Sequence, residues 1–193
     1  SRNLRHSDVI GLVMCNRAEY LAAWLGFSKV GIATALINTN LTGQALAHCL
    51  NIVGVSQVVA DEECWQNCEQ ARPHVSRTMM LWVLGLKSED EIGERRNLDN
   101  TLRSGSSVRP VADARAGITN RDTALYIYTS GTTGLPKAAR ITHARARTYM
   151  RAFAGATNTT AKDRTYNVLP LYHATGGLVG VGPALLNGGR VIL

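Results

Sequence analysis

The chain has few cysteines, and none of them form a C-x-x-C pair. Cys15, Cys49, Cys64 and Cys68 match neither a secreted disulfide framework nor a thioredoxin-type motif. Cys64 and Cys68 lie four residues apart on a predicted helix, with His74 shortly after. A zinc site would need a fourth ligand and tighter spacing. The pattern therefore favours buried thiols and no metal site, and reduced thiols are typical of the cytoplasm.

Long apolar runs are also missing. No run approaches the roughly 18–20 residues of a membrane-spanning helix. At 193 residues, with 45% hydrophobic and 18% charged residues, the chain has the composition of an ordinary globular protein and the length of one domain or two small ones.

Acidic residues are scarce relative to basic ones, which gives a net charge of +7. Between residues 137 and 164, seven basic residues stand against Asp163 alone. We favour a solvated basic face whose acidic counterpart lies elsewhere. The alternative is a surface that attracts nucleotide, CoA phosphates or an anionic membrane. Arginines interleaved with aromatics are absent, so no nucleic-acid partner is expected.

The stretch from Tyr128 to Lys137 carries most of the chemical information. It follows the strand-forming run 124–127 and reads Tyr-Thr-Ser-Gly-Thr-Thr-Gly-Leu-Pro-Lys. Glycines let a loop bring its backbone N–H groups close to a ligand, and with Ser and Thr hydroxyls these form a concave anion site. An ordinary turn between strands is the alternative. The candidate phosphate ligands are Thr129, Ser130, Gly131, Thr132, Thr133, Gly134 and Lys137.

This stretch does not fit the P-loop of ATPases. The P-loop motif requires a glycine before its lysine and a hydroxyl after it, whereas Pro136 and Ala138 occupy those positions. The decamer, with Thr142-His143 beyond it, instead resembles the phosphate-binding signature of the adenylate-forming superfamily. That superfamily comprises acyl-CoA synthetases, luciferases and peptide-synthetase adenylation domains.

Strand and helix alternate through residues 1–86. Strands are predicted at 8–14, 33–37, 56–60 and 79–84, and this alternation favours parallel β-α-β units with right-handed crossovers. Thr42 should cap the second helix, and Asp61 should begin a third. The first helix should be capped by Asn16 and carry an apolar face made of Ala18, Leu21, Ala22 and Leu25. Tyr20, Trp24 and Phe27 add apolar surface elsewhere around it, so we expect this helix to be covered on more than one side.

Residues 87–121 lose this periodicity, and we interpret them as a surface connection with at most one short helical turn. The connection would join a first α/β subdomain, 1–86, to the start of a second, 122–193. The second subdomain should contain a strand at 122–128, short strands at 138–141, 165–169 and 190–193, and a glycine-rich helix within 172–187. Between them, Thr142 should cap a helix whose core face comprises Ala146, Tyr149, Met150 and Phe153.

A second informative stretch is Leu169-Pro170-Leu171-Tyr172-His173. A histidine at the end of an apolar strand lies where open α/β sheets bind ligands, although a histidine bonded beneath a turn is the alternative. The stretch resembles an adenylate-forming motif whose aromatic–His pair borders the acyl pocket. By that resemblance Tyr172 and His173 are pocket residues. Gly176 and Gly177 resemble the small residues that let the following helix approach substrate.

Several segments resemble the fatty acid transport protein branch, the very-long-chain acyl-CoA synthetases. They are the run Ala35–Leu41, the segment 46–50, and the pairs Tyr126-Ile127 and Ala138-Ala139 on either side of the phosphate loop. His48 within this region is interpreted as a partly buried structural histidine. The resemblance implies an α/β fold with two parallel-sheet β-α-β subdomains, which are part of the large N-terminal domain of such an enzyme.

The resemblance also implies an ATP-dependent ligase that joins a long-chain fatty acid to CoA through an acyl-adenylate. ATP, Mg²⁺ and CoA are the implied cofactors and co-substrates. The adenine site, the magnesium ligand and the catalytic lysine of the family would lie beyond Leu193, so no complete catalytic set is expected here and the chain alone should be inactive. We expect a cytoplasmic protein with peripheral membrane contact. A non-catalytic nucleotide- or lipid-binding module and a structural fragment are the alternatives.

Overall fold

The computed structural model describes residues 4–87, 92–129 and 134–193. Within them the strands are β1 Val9–Val13, β2 Ala33–Leu36, β3 Gln57–Asp61, β4 Met80–Leu84, β5 Arg95–Asn97, β6 Thr123–Thr129, β7 Lys137–Thr142, β8 Arg164–Tyr166 and β9 Arg190–Ile192. The α-helices are α1 Ala18–Lys29, α2 Gly43–Ile52, α3 Trp65–Ala71, α4 Leu98–Arg103, α5 His143–Ala156 and α6 Gly182–Asn187. A π-helical segment, Thr175–Gly180, precedes α6.

A seven-stranded sheet in the order β5-β4-β3-β1-β2-β6-β7 forms the centre of the molecule. All neighbouring strands are parallel except β6 and β7, which form an antiparallel hairpin. The mixed α/β fold with a mostly parallel sheet is confirmed. From β1 the chain passes to β2 on one side and then to β3 on the other, so the strand order reverses direction at β1.

Two hydrophobic clusters cover the two faces of this sheet, as right-handed crossovers with helices on both sides require. One cluster packs Tyr20 and Trp24 of α1 and Met150 of α5 against the sheet. The other packs Leu46 and Leu50 of α2, together with α3, against the opposite face. Strands β8 and β9 form a separate parallel pair.

Of the apolar surfaces predicted for α1, the one with Tyr20 and Trp24 is confirmed, and the one with the alanines is wrong in part. Tyr20, Leu21 and Trp24 are buried, whereas Ala18 and Ala22 are exposed and Leu25 is 38% exposed. The large aromatic side chains offer more apolar area than alanines, so they determine which stripe of the helix faces the core. In α5, Ala146 and Met150 are buried as predicted, but Phe153 is 44% exposed.

Two predicted helix starts also need correction. Arg17, not Asn16, occupies the cap position of α1, and it makes no side-chain capping bond. Asp61 does not begin α3, because it is the last residue of β3 and is fully buried. Thr42 stands at the cap position of α2 as predicted, without a capping side-chain bond.

The interpretation of residues 87–121 as an irregular surface connection is incomplete. Arg95–Asn97 forms β5, a parallel edge strand beside β4, and Leu98–Arg103 forms α4. A three-residue strand with two arginines carries no hydrophobic alternation to reveal it. The division into two subdomains stays a prediction. Strand β6 lies directly beside β2, so the phosphate-loop hairpin belongs to the same sheet as the first half.

Thr142 caps α5 as predicted, and its hydroxyl accepts a hydrogen bond from the Arg145 N–H at 3.2 Å. We expect Thr142→Ala to lower the free energy of unfolding by about 1 kcal/mol, because it leaves that N–H without its acceptor. Thr148→Ala, within the same helix, is the matched control. Its hydroxyl donates to the Ala144 carbonyl, which already belongs to the helix, and alanine is the better helix former, so this variant should be unchanged or more stable by up to about 0.7 kcal/mol. Urea unfolding would test this, and equal losses in both variants would contradict the capping role.

Candidate functional site

A pocket of about 500 Å³ opens at the carboxyl ends of β2 and β6. Open α/β sheets bind their ligands at this edge. The pocket brings together residues from the phosphate-loop stretch and from the Leu169–His173 stretch, which are distant in sequence. Its lining residues are Leu36, Asn38, Leu41, Tyr128, Thr129, Gly134, Pro136, Tyr172 and His173.

The β6–β7 hairpin places two of the phosphate-loop candidates, Thr129 and Gly134, at one wall of the pocket, and Lys137 is not among the lining residues. Thr129 ends β6 and pairs with Lys137, which begins β7, and both side chains are exposed. Gly134 adopts a φ of +92°, a conformation that L side chains rarely adopt. Ser130, Gly131, Thr132 and Thr133 lie outside the described residues, so their part in the prediction stays untested.

Helix α2 holds both arms of this hairpin. The Tyr128 hydroxyl donates to the Cys49 carbonyl at 2.6 Å, and burial raises the pKa of this tyrosine, so it acts as a neutral donor. On the other arm His48 Nε2 lies 3.0 Å from the Pro136 carbonyl oxygen, to which it donates. His48 is half-buried. The structure therefore gives it an anchoring contact beside the loop.

The side chain of Asn16, which is distant in sequence, holds the backbone of the Leu169–His173 stretch. The Asn16 side-chain nitrogen Nδ2 donates to the Leu169 carbonyl, and the side-chain oxygen Oδ1 accepts from the Leu171 N–H, both at 2.9 Å. Buried Asn167 donates a further bond to the Leu169 carbonyl at 3.0 Å. These bonds fix the backbone that delivers the next two residues, Tyr172 and His173, to the pocket.

Tyr172 and His173 form a compact aromatic pair. Their ring centroids lie 4.7 Å apart and the ring planes are tilted by 52°. Tyr172 is half-buried and His173 exposed, and burial raises the pKa of the Tyr172 hydroxyl. The pair therefore presents an apolar surface and a titratable imidazole to the pocket.

Gly176 and Gly177 are buried in the π-helical segment. A Cβ on Gly176 would come within 2.8 Å of the Leu169 carbonyl oxygen and closer still to that of Pro170. A Cβ on Gly177 would meet the Leu171 carbonyl oxygen. The glycines thus allow this helix to pack directly on the backbone that carries Tyr172 and His173. Their predicted contact with substrate stays a prediction.

Several pocket residues were missed by sequence reasoning. Asn38 follows β2 at the carboxyl edge of the sheet, and that placement is the signal that could have found it. Leu36 and Leu41 line the pocket but look like ordinary core residues in the sequence. Asn16, which does not line the pocket but holds the backbone leading to it, resembled a helix cap. Its long-range bonds depend on a segment about 150 residues away, which no local pattern indicates.

The predicted basic surface lies mainly on α5, where Arg145, Arg147 and Arg151 are exposed. Arg147 donates to the Asn120 side-chain oxygen, and Arg145 donates to the Tyr149 hydroxyl and lies over its ring. None of the three pairs with a carboxylate in the part of the chain that the structure describes. Among the described helices, none has the length and hydropathy to cross a membrane.

The cysteines are free, and three of them are buried, as predicted. Burial raises the pKa of Cys49 to about 11 and that of Cys68 to about 12, so both thiols stay protonated near neutral pH. Cys64 does not pair with Cys68 and His74. Its sulfur instead lies 3.8 Å from that of Cys15.

Comparison with known proteins gives a consistent set of similarities. A family model described as AMP-binding enzyme matches residues 1–193. Human long-chain fatty acid transport protein 1 is 35% identical over 189 residues, which cover 96% of this chain and 29% of that protein. Human long-chain fatty acid transport protein 5 is 38% identical over 185 residues, which cover 94% of this chain and 26% of that protein. The chain spans less than a third of the length of these curated relatives.

Solved structures share the fold at low identity. The long-chain-fatty-acid-CoA ligase FadD1 from Archaeoglobus fulgidus superposes with a TM-score of 0.82 at 20% identity, covering 98% of this chain and 35% of that one. ATP-bound MatB from Rhodopseudomonas palustris superposes with a TM-score of 0.79 at 23% identity, and the match covers 100% of this chain and 36% of that one.

Proposed function

Since the chain belongs to the AMP-binding enzyme family, we propose that it forms part of an ATP-dependent ligase that joins long- or very-long-chain fatty acids to CoA. One observation carries the proposal. The phosphate-loop residues Thr129 and Gly134 and the aromatic pair Tyr172–His173 line a single pocket. This arrangement supports a site in which the hairpin binds the phosphates of ATP and the apolar wall binds the fatty acid, the combination that activation of a fatty carboxylate by ATP requires.

The reaction has two half-reactions. A carboxylate oxygen of the fatty acid attacks the α-phosphorus of ATP, and the bond to pyrophosphate breaks. The CoA sulfur then attacks the acyl carbon, and AMP leaves. Negative charge spreads over the transferring and leaving phosphates in the first step, so preorganised donors and cations at those phosphates lower its barrier.

The described part of the hairpin fits phosphate binding. Lys137 is exposed beside Thr129 across the β6–β7 pair, and no described carboxylate neutralises its ammonium group. The positive φ of Gly134 lets the backbone turn without a side chain over the pocket. We assign Thr129, Gly134 and Lys137 to the β- and γ-phosphates, together with Ser130, Gly131, Thr132 and Thr133. Mg²⁺ would neutralise phosphate charge during this chemistry.

The acyl side of the pocket is formed by apolar residues and by the aromatic pair. Leu36 and Leu41 line it together with Tyr172, and His173 would shape the site of the carboxylate. Each buried methylene of an acyl chain contributes about 0.8 kcal/mol, so a pocket open to long tails favours long substrates. The names of the transport-protein relatives support this acyl class.

We further propose that the enzyme works in the cytoplasm in peripheral contact with membranes. The exposed arginines Arg147 and Arg151 on α5 support this. A cation near an anionic lipid surface contributes roughly 1 kcal/mol, and screening by salt weakens the attraction.

The full-length protein should convert ATP, CoA and fatty acid into acyl-CoA, AMP and pyrophosphate. We expect kcat/KM to rise from acetate through octanoate to palmitate and longer acids, because each added methylene buries apolar surface. A coupled assay for AMP release across this series measures it. A maximum at acetate or at an aromatic acid would contradict the acyl class. Nucleotide binding without AMP release would identify a non-catalytic module instead.

Because the chain spans only part of its relatives, we expect residues 1–193 alone to make no acyl-CoA.

A further inference from the structure

Two cysteines and a buried carboxylate meet at the carboxyl edge of the sheet, beside the candidate pocket but not lining it. Cys15 lies just beyond β1, Asp61 ends β3, and Cys64 follows in the next turn. One ligand atom from each of the three lies within 4.8 Å of the others. Chain positions 15 and 64 are too distant for sequence spacing to reveal this cluster.

The distances match those of a tetrahedral thiolate site. Two sulfurs bound at about 2.3 Å to one tetrahedral zinc ion lie about 3.8 Å apart, and the sulfurs of Cys15 and Cys64 are 3.8 Å apart. A fourth donor is at hand, because a Glu63 carboxylate oxygen lies 3.7 Å from the Cys15 sulfur. Glu63 is exposed, so its side chain is free to swing toward the cluster.

The Asp61 carboxylate is held in place before any ligand arrives. It is 0% exposed, and its two oxygens accept from the Cys15 N–H at 2.8 Å and the Cys64 N–H at 2.9 Å. Each oxygen keeps a further lone pair that can bind a cation. The same two bonds also position the backbone of both cysteines.

The location within the fold points to a ligand as well. The strand order reverses at β1, with β2 on one side and β3 on the other. In open parallel sheets, ligands bind outside the carboxyl ends of the strands at such a reversal. Cys15 follows β1 and Cys64 follows β3, so the two thiols flank this crevice.

Taken together, the geometry points to a binding site for a thiophilic divalent cation such as Zn²⁺, with Cys15, Cys64 and Asp61 as ligands and Glu63 closing the fourth position. Binding transfers the two thiol protons to solvent and forms two metal–thiolate bonds, with no change of oxidation state. This site is independent of the proposed ligase chemistry.

Arg17, the positively charged residue beside Asp61, does not prevent metal binding. The Arg17 guanidinium lies 4.0 Å from an Asp61 oxygen, but it also pairs with Glu62 at 2.9 Å and with Glu19 at 3.1 Å. Asn16 directly follows Cys15 and holds the Leu169–Leu171 backbone. A bound metal would therefore stiffen the loop that carries this link to the pocket.

Titration of the reduced, metal-free full-length protein with Co²⁺ tests the proposal. We expect a thiolate-to-cobalt charge-transfer band that saturates at one Co²⁺ per chain and disappears when excess Zn²⁺ displaces the cobalt. Zn²⁺ at 100-fold above its Kd should also raise Tm by about 2 °C. Cys15→Ser should lose both effects, and Glu63→Gln should weaken affinity about 10-fold or more. Cys49→Ala, which removes a thiol outside the cluster, should retain both.

Cys15 is only partly buried, so its serine variant should fold, and an unchanged far-ultraviolet circular dichroism spectrum would verify this. A charge-transfer band that persists in folded Cys15→Ser, or the absence of any such band in the wild-type protein, would overturn the proposal. Loss of acyl-CoA synthesis with intact Co²⁺ binding would argue against the proposed function alone, so the two failures are distinguishable.

Discussion

Replacing Gly176 by alanine is expected to lower the free energy of unfolding by about 3 kcal/mol, the upper part of the usual range for an overpacked interior site. The new Cβ would collide with the carbonyl oxygens of Leu169 and Pro170. Both oxygens belong to a backbone held by Asn16 and Asn167, so the segment cannot move aside without losing hydrogen bonds. Because that segment leads to Tyr172 and His173, the substitution should also raise the KM for fatty acid in the full-length enzyme.

Gly26→Ala is the matched control. Gly26 lies within α1, and a Cβ there would meet no atom within 4 Å. Alanine is a better helix former, so this variant should be unchanged or more stable by up to about 1 kcal/mol. Urea unfolding of both variants, together with palmitoyl-CoA synthesis over a range of palmitate concentrations, separates the effects. Equal stability of Gly176→Ala and the wild-type protein would contradict the packing role of Gly176.

The parallel sheet was predictable because its strands are short, continuous apolar runs. Strands buried on both faces need β-branched and aliphatic residues at nearly every position, and β1, β3 and β4 satisfy this. The hairpin around the phosphate loop was predictable for a different reason. A strand-forming run precedes its glycines and hydroxyls and another short apolar run follows them, and that pattern predicts two strands joined by a turn.

The remaining features depend on tertiary contacts that local sequence does not contain. The sequence placed apolar surface on two sides of α1, but it did not indicate that Tyr20 and Trp24, and not the evenly spaced alanines, fill the space above the sheet. The strand β5 is an edge strand that begins with two arginines, so no hydrophobic alternation in the sequence marks its pairing with β4.

Parts of the candidate site were hidden for the same reason. Asn16 was predicted to be a helix cap, and Cys15 was given no partner. Cys64 becomes a neighbour of Cys15 only when β1 and β3 lie side by side, and Asn16 meets Leu171 only through a tertiary contact. Local sequence patterns therefore cannot indicate residues whose neighbours are set only by the fold.

The Lys137→Ala variant of the full-length enzyme should show a kcat/KM for acyl-CoA synthesis about 10²-fold below that of the wild-type protein. The reason is electrostatic. Lys137 begins β7 directly opposite Thr129, where its ammonium group can stabilise negative charge that grows on the phosphates in the transition state. Removing one such preorganised group costs about 10²–10³-fold in rate. Stability should hardly change, because the side chain is exposed and contributes little to the core.

Two further variants make this test specific. Lys29→Ala removes an exposed lysine at the end of α1, far from the hairpin in sequence, and should keep wild-type kinetics. Lys137→Arg keeps the positive charge but changes its shape and hydrogen-bonding geometry, so it should recover part of the lost activity. The ATP–pyrophosphate exchange rate isolates the adenylation step from thioester formation. Equal exchange rates for Lys137→Ala and the wild-type enzyme would show that Lys137 does not act on the phosphates, whereas a loss that Lys137→Arg partly restores would assign its charge to that step.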